Sequence, residues 1–198
     1  MALLATSASA SSLVLNGGFT TGDFTNWNNT DRWVVTAFPP NPGTPPSGTI
    51  YAASTGCSGA ACNDPVVGAY ISQTLATVAS QSYTLTFFYD AGGTNADADS
   101  NTTELDALWN GSLVSGGQII DAAPGTWAEY TFTGLIASGS STVLEFTGRQ
   151  DPEYLFLTDV SVTADSSTAP EPASLTLIGG GLLSLWTMGT LLRRRRKA

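Results

Sequence analysis

Ser82-Tyr83-Thr84-Leu85-Thr86-Phe87-Phe88-Tyr89-Asp90 is the stretch from which the fold is read. Tyr83, Leu85, Phe87 and Tyr89 fall on one side of an extended chain, with Thr84 and Thr86 opposite. Side chains alternate across a strand, so this period of two marks a half-buried β-strand. Three more runs carry the same signal. Residues 129–133 put Tyr130 and Phe132 against Thr131 and Thr133. Residues 142–147 put Leu144 and Phe146 against Val143, Glu145 and Thr147. Residues 155–163 put Phe156, Val160 and Val162 on one face, with Asp159 and Ser161 on the other. Further strands are predicted at 12–16, 33–36, 49–53, 69–74, 104–109 and 117–120. Turn signals separate them, among them Asn16-Gly17-Gly18, Pro39-Pro40, Gly92-Gly93, Asn110-Gly111 and Pro124-Gly125. No useful helical period precedes residue 173. Ten short strands in roughly 150 residues imply an all-β fold, a two-sheet antiparallel jelly-roll sandwich.

Charge divides the chain. It has seven basic residues and 16 acidic ones. Five of the basic residues are the terminal Arg193, Arg194, Arg195, Arg196 and Lys197. Before them stand only Arg32 and Arg149, so the body is strongly acidic. Binding to phosphate backbones needs Lys and Arg, which argues against a nucleic-acid partner. There is no His, which removes the commonest general base and the commonest zinc ligand. Ser, Thr, Gly and Asn dominate the body, as suits a secreted β protein. Cys57 and Cys62 sit in a Gly/Ala/Ser loop. In an oxidising compartment this spacing predicts a small-loop disulfide, with two free thiols as the alternative.

The ends read as targeting. Residues 1–11 look like the remnant of a truncated signal peptide, with apolar residues followed by the small-x-small pattern Ala8-Ser9-Ala10. The true start is then expected upstream; an unstructured leader is the alternative. The predicted sandwich domain covers 12–164, and a linker with Pro170-Glu171-Pro172 covers 165–172. Residues 173–192 hold no charge, and as a helix they reach about 30 Å, the thickness of a bilayer's hydrocarbon core. The basic tail 193–198 follows. Concentrated basic charge stays cytoplasmic, so the body is expected outside the inner membrane.

Motif, span and basic cluster in this order resemble the PEP-CTERM sorting signal of Gram-negative envelope proteins. The resemblance implies recognition of Pro170, Glu171 and Pro172 by an exosortase, a membrane-embedded processing enzyme. It also implies inner-membrane residence before processing and a producer that makes exopolysaccharide and biofilm. The residues agree, since two prolines hold an extended, non-helical segment beside the span. A plain anchor with Pro as helix stop is the simpler alternative.

Leu15-Asn16-Gly17-Gly18-Phe19, with Thr21-Gly22-Asp23-Phe24 and Trp27, resembles the opening of galactose-binding-like jelly rolls, which include many carbohydrate-binding modules. Ile71-Ser72-Gln73-Thr74-Leu75 and Leu157-Thr158-Asp159-Val160-Ser161-Val162 resemble the middle and close of the same pattern. In that family a structural calcium often joins the first and last strands. Here Thr20 and Thr158 stand where acidic ligands would be, which leaves Asp159 as the one candidate ligand and calcium as the one candidate cofactor. The loop Asp97-Ala98-Asp99-Ser100-Asn101 is no EF-hand, because Thr102 replaces the required Gly and Leu108 the bidentate Glu.

Trp27, Trp33, Trp109 and Trp127 are candidates either for stacking on sugar or for the core. Arg149 and Asp151, with Tyr154, are candidates for the polar end of a cleft. The expected function is an exported, non-enzymatic surface or matrix protein, with polysaccharide as the candidate partner. One rival is a secreted glycan-cleaving enzyme using carboxylates such as Glu104 and Asp106. Another is an ice-binding surface, for which the Thr-x-Thr pairs Thr84/Thr86 and Thr131/Thr133 are too few to make a repeating ladder.

Overall fold

The computed structural model describes residues 11–30, 32–37, 45, 47–56, 69–92, 103–120, 122–149 and 154–166. The chain divides into two compact units, 1–165 and 166–198. The tail motif, the 173–192 span, the basic cluster, Cys57, Cys62, Asp151 and the 97–101 loop lie outside the described residues. Among the described residues no helix is long and apolar enough to cross a membrane.

Among its described residues the first unit is all β. Its strands are β1 (Asn28–Asn29), β2 (Val34–Ala37), β3 (Tyr51–Gly56), β4 (Tyr70–Ala76), β5 (Ser82–Asp90), β6 (Glu104–Trp109), β7 (Ser112–Ile120), β8 (Ala128–Ile136), β9 (Ser141–Arg149) and β10 (Tyr154–Ala164). They form two five-stranded sheets. Sheet A has the order β1-β4-β9-β6-β7 and sheet B the order β2-β3-β10-β5-β8. All the paired strands are antiparallel. The predicted two-sheet sandwich is present, and its arrangement is that of a jelly roll.

The core lies between the sheets. Tyr83, Leu85, Phe87 and Tyr89 of β5 are buried, as the alternation requires. Phe87 meets Phe146 of the opposite sheet edge-to-face at 5.2 Å. Ile71 and Leu75 of β4, Leu105 and Ala107 of β6, and Leu144 of β9 complete the facing wall. Burying a large apolar side chain is worth about 1.5–3 kcal/mol, so these residues hold the sandwich together.

The last strand departs from its expected pattern. Phe156 does not share a face with Val160 and Val162. The register between β10 and β5 shifts between Thr158 and Ser161. Asp159 takes a left-handed backbone with φ 52° at this bulge. A bulge inserts a residue and reverses the parity of all that follows. Leu155 and Leu157 therefore point inward before it and Val160 and Val162 after it, all four buried, while Phe156 faces outward and is half-buried.

Residues 12–16 form no strand. They run along β10 beyond the end of β3: Leu13 N donates to Val162 O at 2.8 Å, and Val160 N donates to Gly17 O at 3.0 Å. Gln73 of sheet A exchanges two bonds with the Leu15 backbone, at 2.8 and 2.9 Å. This segment thus bridges the two sheets. The short strand β1 has no apolar alternation to announce it. Trp33 precedes β2, and β7 begins five residues before its predicted start at Gly117.

Candidate functional site

Three of the four candidate tryptophans belong to the core. Trp27, Trp33 and Trp109 are buried. Trp27 packs on Phe19 at 5.5 Å and donates from Nε1 to Asn16 O, and Trp109 donates to Ile136 O. Trp127 is half-buried and lies 6.4 Å from Phe156.

The outer face of sheet A gathers the polar groups. Pairing places Tyr70, Thr147, Asp106 and Gln118 in one row across β4, β9, β6 and β7. The next row places Arg149 opposite Glu104 and Ile120. The row on the other side runs Asn28, Ser72, Glu145, Leu108 and Leu113. Arg149 is thus the last residue of β9, and it stands opposite Glu104. Gln118 Nε2 donates to Glu104 Oε1 at 2.7 Å. Asp106 Oδ1 is buried without a hydrogen-bond partner. Burial first, and then the neighbouring Glu104 carboxylate, push the Asp106 carboxyl above its usual range, against the lowering effect of Gln118. A buried acceptor oxygen with no donor is uncommon, and this one sits on an outward face beside the Gln118 amide and a second carboxylate, Glu104.

An opening of about 520 Å³ lies between the sheet edges β7 and β8. It is lined by Trp109, Leu113, Phe132, Leu135 and Ile136 with hydroxyls between them, and holds no ionisable side chain. The polar face of sheet A offers more for recognition.

Asp159 sits where the turn after residue 15 meets β10. Its carboxylate accepts hydrogen bonds from the Ser47 and Thr49 hydroxyls. A Cβ on Gly18 would stand 3.1 Å from Asp159 Oδ1. Thr158 Oγ1 donates to Tyr51 O at 2.8 Å.

Known structures place this architecture. The chain shares its fold with carbohydrate-binding modules. It is similar to TmCBM61 in complex with beta-1,4-galactotriose, with 14% identity, a TM-score of 0.53, and coverage of 78% of this chain and 99% of that one. It is similar to the CBM22-1 xylan-binding domain from Paenibacillus barcinonensis Xyn10C, with 14% identity, a TM-score of 0.52, and coverage of 82% and 100%. It is also similar to a cyclase from Fischerella sp. TAU in complex with 4-(1H-Indol-3-yl)butan-2-one, with 16% identity, a TM-score of 0.55, and coverage of 81% and 100%. No protein-family model and no curated protein matches the chain. At such identities the likeness speaks for the fold, and one fold hosts both binders and enzymes.

The calcium implied by the galactose-binding-like resemblance does not suit the donor set at Asp159. Calcium takes six to eight oxygens, several of them carboxylate. Here one carboxylate has both oxygens engaged by hydroxyl donors, and Thr158 spends its hydroxyl on a backbone carbonyl. No cluster of three or more His, Cys, Asp or Glu suited to a metal occurs among the described residues.

The two Thr-x-Thr pairs, far apart in sequence, meet on the outer face of sheet B. Thr131, Thr86 and Ser161 form one cross-strand row, and Thr84 pairs with Thr163. Thr84 is engaged, donating to Asp165 Oδ1 at 2.6 Å. This is a hydroxyl patch on adjacent strands rather than a repeating ladder.

Proposed function

We propose that this chain is an exported cell-envelope protein whose sandwich contacts polysaccharide through the outer face of sheet A without cleaving it. Its tail is the sorting signal that an exosortase-type enzyme recognises and processes. One observation carries the binding reading: the cross-strand row Tyr70, Thr147, Asp106, Gln118, with its unsatisfied Asp106 oxygen. Neighbouring strands lie about 4.8 Å apart, so the row spans roughly 15 Å of regularly spaced groups. A tyrosine ring offers a stacking surface, carboxylates accept from sugar hydroxyls, and an amide both donates and accepts. Solved structures of the same fold include one bound to a galactotriose and one described as xylan-binding, which supports the same reading.

A glycan array probed with the full chain tests it. Binding to a neutral or acidic plant-type or bacterial polysaccharide is expected, weakened about tenfold or more by Tyr70→Ala and by Asp106→Ala. Asp106→Asn should leave the fold at least as stable at neutral pH. The folded state raises this carboxyl, so ionising it costs stability as pH rises through its folded pKa. Binding that ignores both substitutions, or no binding at all, would remove sheet A as the site.

The glycan-cleaving alternative has one observation in its favour, a carboxyl held up beside a second carboxylate. It requires release of reducing ends that vanishes in both Asp106→Asn and Glu104→Gln.

A further inference from the structure

The place where the first turn meets the last strand carries an inference independent of the glycan and sorting readings. We infer that Asp159 is a metal-independent latch, in which hydroxyl donors do the joining that a calcium ion does in galactose-binding-like domains. Three segments meet β10 at this point. Gly17 accepts the Val160 N–H at 3.0 Å, which brings the Asn16-Gly17-Gly18 turn against the bulge. Asp159, at the bulge with φ 52°, accepts hydrogen bonds from Ser47 and Thr49, residues of the segment leading into β3. Its neighbour Thr158, fully buried, donates to Tyr51 O in β3. Gly18 leaves space beside Asp159 Oδ1 that a side chain would crowd.

The chemistry favours hydroxyls over a cation. Each carboxylate oxygen already has an O–H donor, and hydrogen bonds to an ionised acceptor are among the stronger kind. A divalent ion would displace both donors and find one formal negative charge in return. The departures from the family pattern are then coherent: Thr20 and Thr158 replace acids that only a cation would need. The latch also accounts for the left-handed Asp159, because the bulge turns its carboxylate toward residues 47 and 49.

Thermal melting of the full chain in mild detergent, with calcium or with a chelator, tests this. The wild type is expected to melt at the same temperature in both. Asp159→Ala and Thr49→Val should each lower the melting temperature by roughly 3–8 °C in both conditions. Asp159→Asn should lose less than Asp159→Ala, because an amide can still accept from one hydroxyl and donate toward the other. A calcium-dependent rise of several degrees in the wild type, abolished in Asp159→Asn, would overturn the latch in favour of a metal site. Melting temperatures unmoved by Asp159→Ala and Thr49→Val would overturn it as well.

Discussion

Gly17 shows how much a single position can carry. A Cβ there would lie 2.0 Å from Val160 O, far inside contact distance. The same residue accepts the Val160 N–H, so the turn and the last strand are joined at a point that admits no side chain. Its neighbours work locally. Asn16, with φ 53°, donates from Nδ2 to Thr21 Oγ1 and to the Asp23 and Thr25 carbonyls. Phe19 is fully buried against Phe24 and Trp27. The Asn-Gly-Gly-Phe motif therefore holds the fold at this corner. Gly17→Ala should destabilise by more than about 2 kcal/mol, read as a shifted urea midpoint with an unchanged slope. A midpoint equal to wild type would mean that the turn does not need this close approach. The motif itself stands out in the sequence. Its partner does not, because Val160 is more than a hundred residues away and nothing local names it.

At the scale of elements, period-two alternation identified β5 and β9 well, and each has one face in the core. It misread β10, because a bulge changes parity without changing composition. The end of β10 is secured by a different device. Asp165 N donates to Ser82 O, and its carboxylate accepts from the Ser82 and Thr84 hydroxyls. Those side-chain bonds, Ser82 first and Thr84 second, hold the Asp165 carboxyl below its usual range. A depressed folded pKa adds stability above the unfolded pKa and loses it as pH falls through the folded value. Asp165→Asn should therefore melt below wild type at neutral pH, with the gap closing as pH drops below about 4. Melting curves across this range check it, and a gap that does not depend on pH would show that the charge is irrelevant. Asp90 and Asp106 work in the opposite sense. Burial is the chief cause that raises both, so each favours the fold more as pH falls toward its own pKa. Comparing the variant with wild type at each pH cancels their contribution.

At the scale of the whole molecule, the tail makes the sharpest demand. Replacing Pro170, Glu171 and Pro172 by Ala leaves the apolar span and the basic cluster in place, so membrane insertion should persist. If the motif is recognised, the variant should stay full-length in the inner membrane while wild type loses its tail and moves outward. Three alanines favour helix and would hide the extended backbone that a processing enzyme must grip. Fractionation and intact mass in a host carrying an exosortase check this, and equal mass and location for both proteins would sink the sorting reading. Fold class follows from the sequence alone, because alternation and turn residues are local patterns that each short stretch carries in the order of its residues. The lopsided charge and the tripartite tail are also linear patterns. Tertiary structure alone placed Glu104, Asp106, Gln118, Arg149 and Tyr70 on one face, and Asp159 against Ser47 and Thr49. Those meetings depend on strand order and register, which are set by packing between residues far apart in the chain.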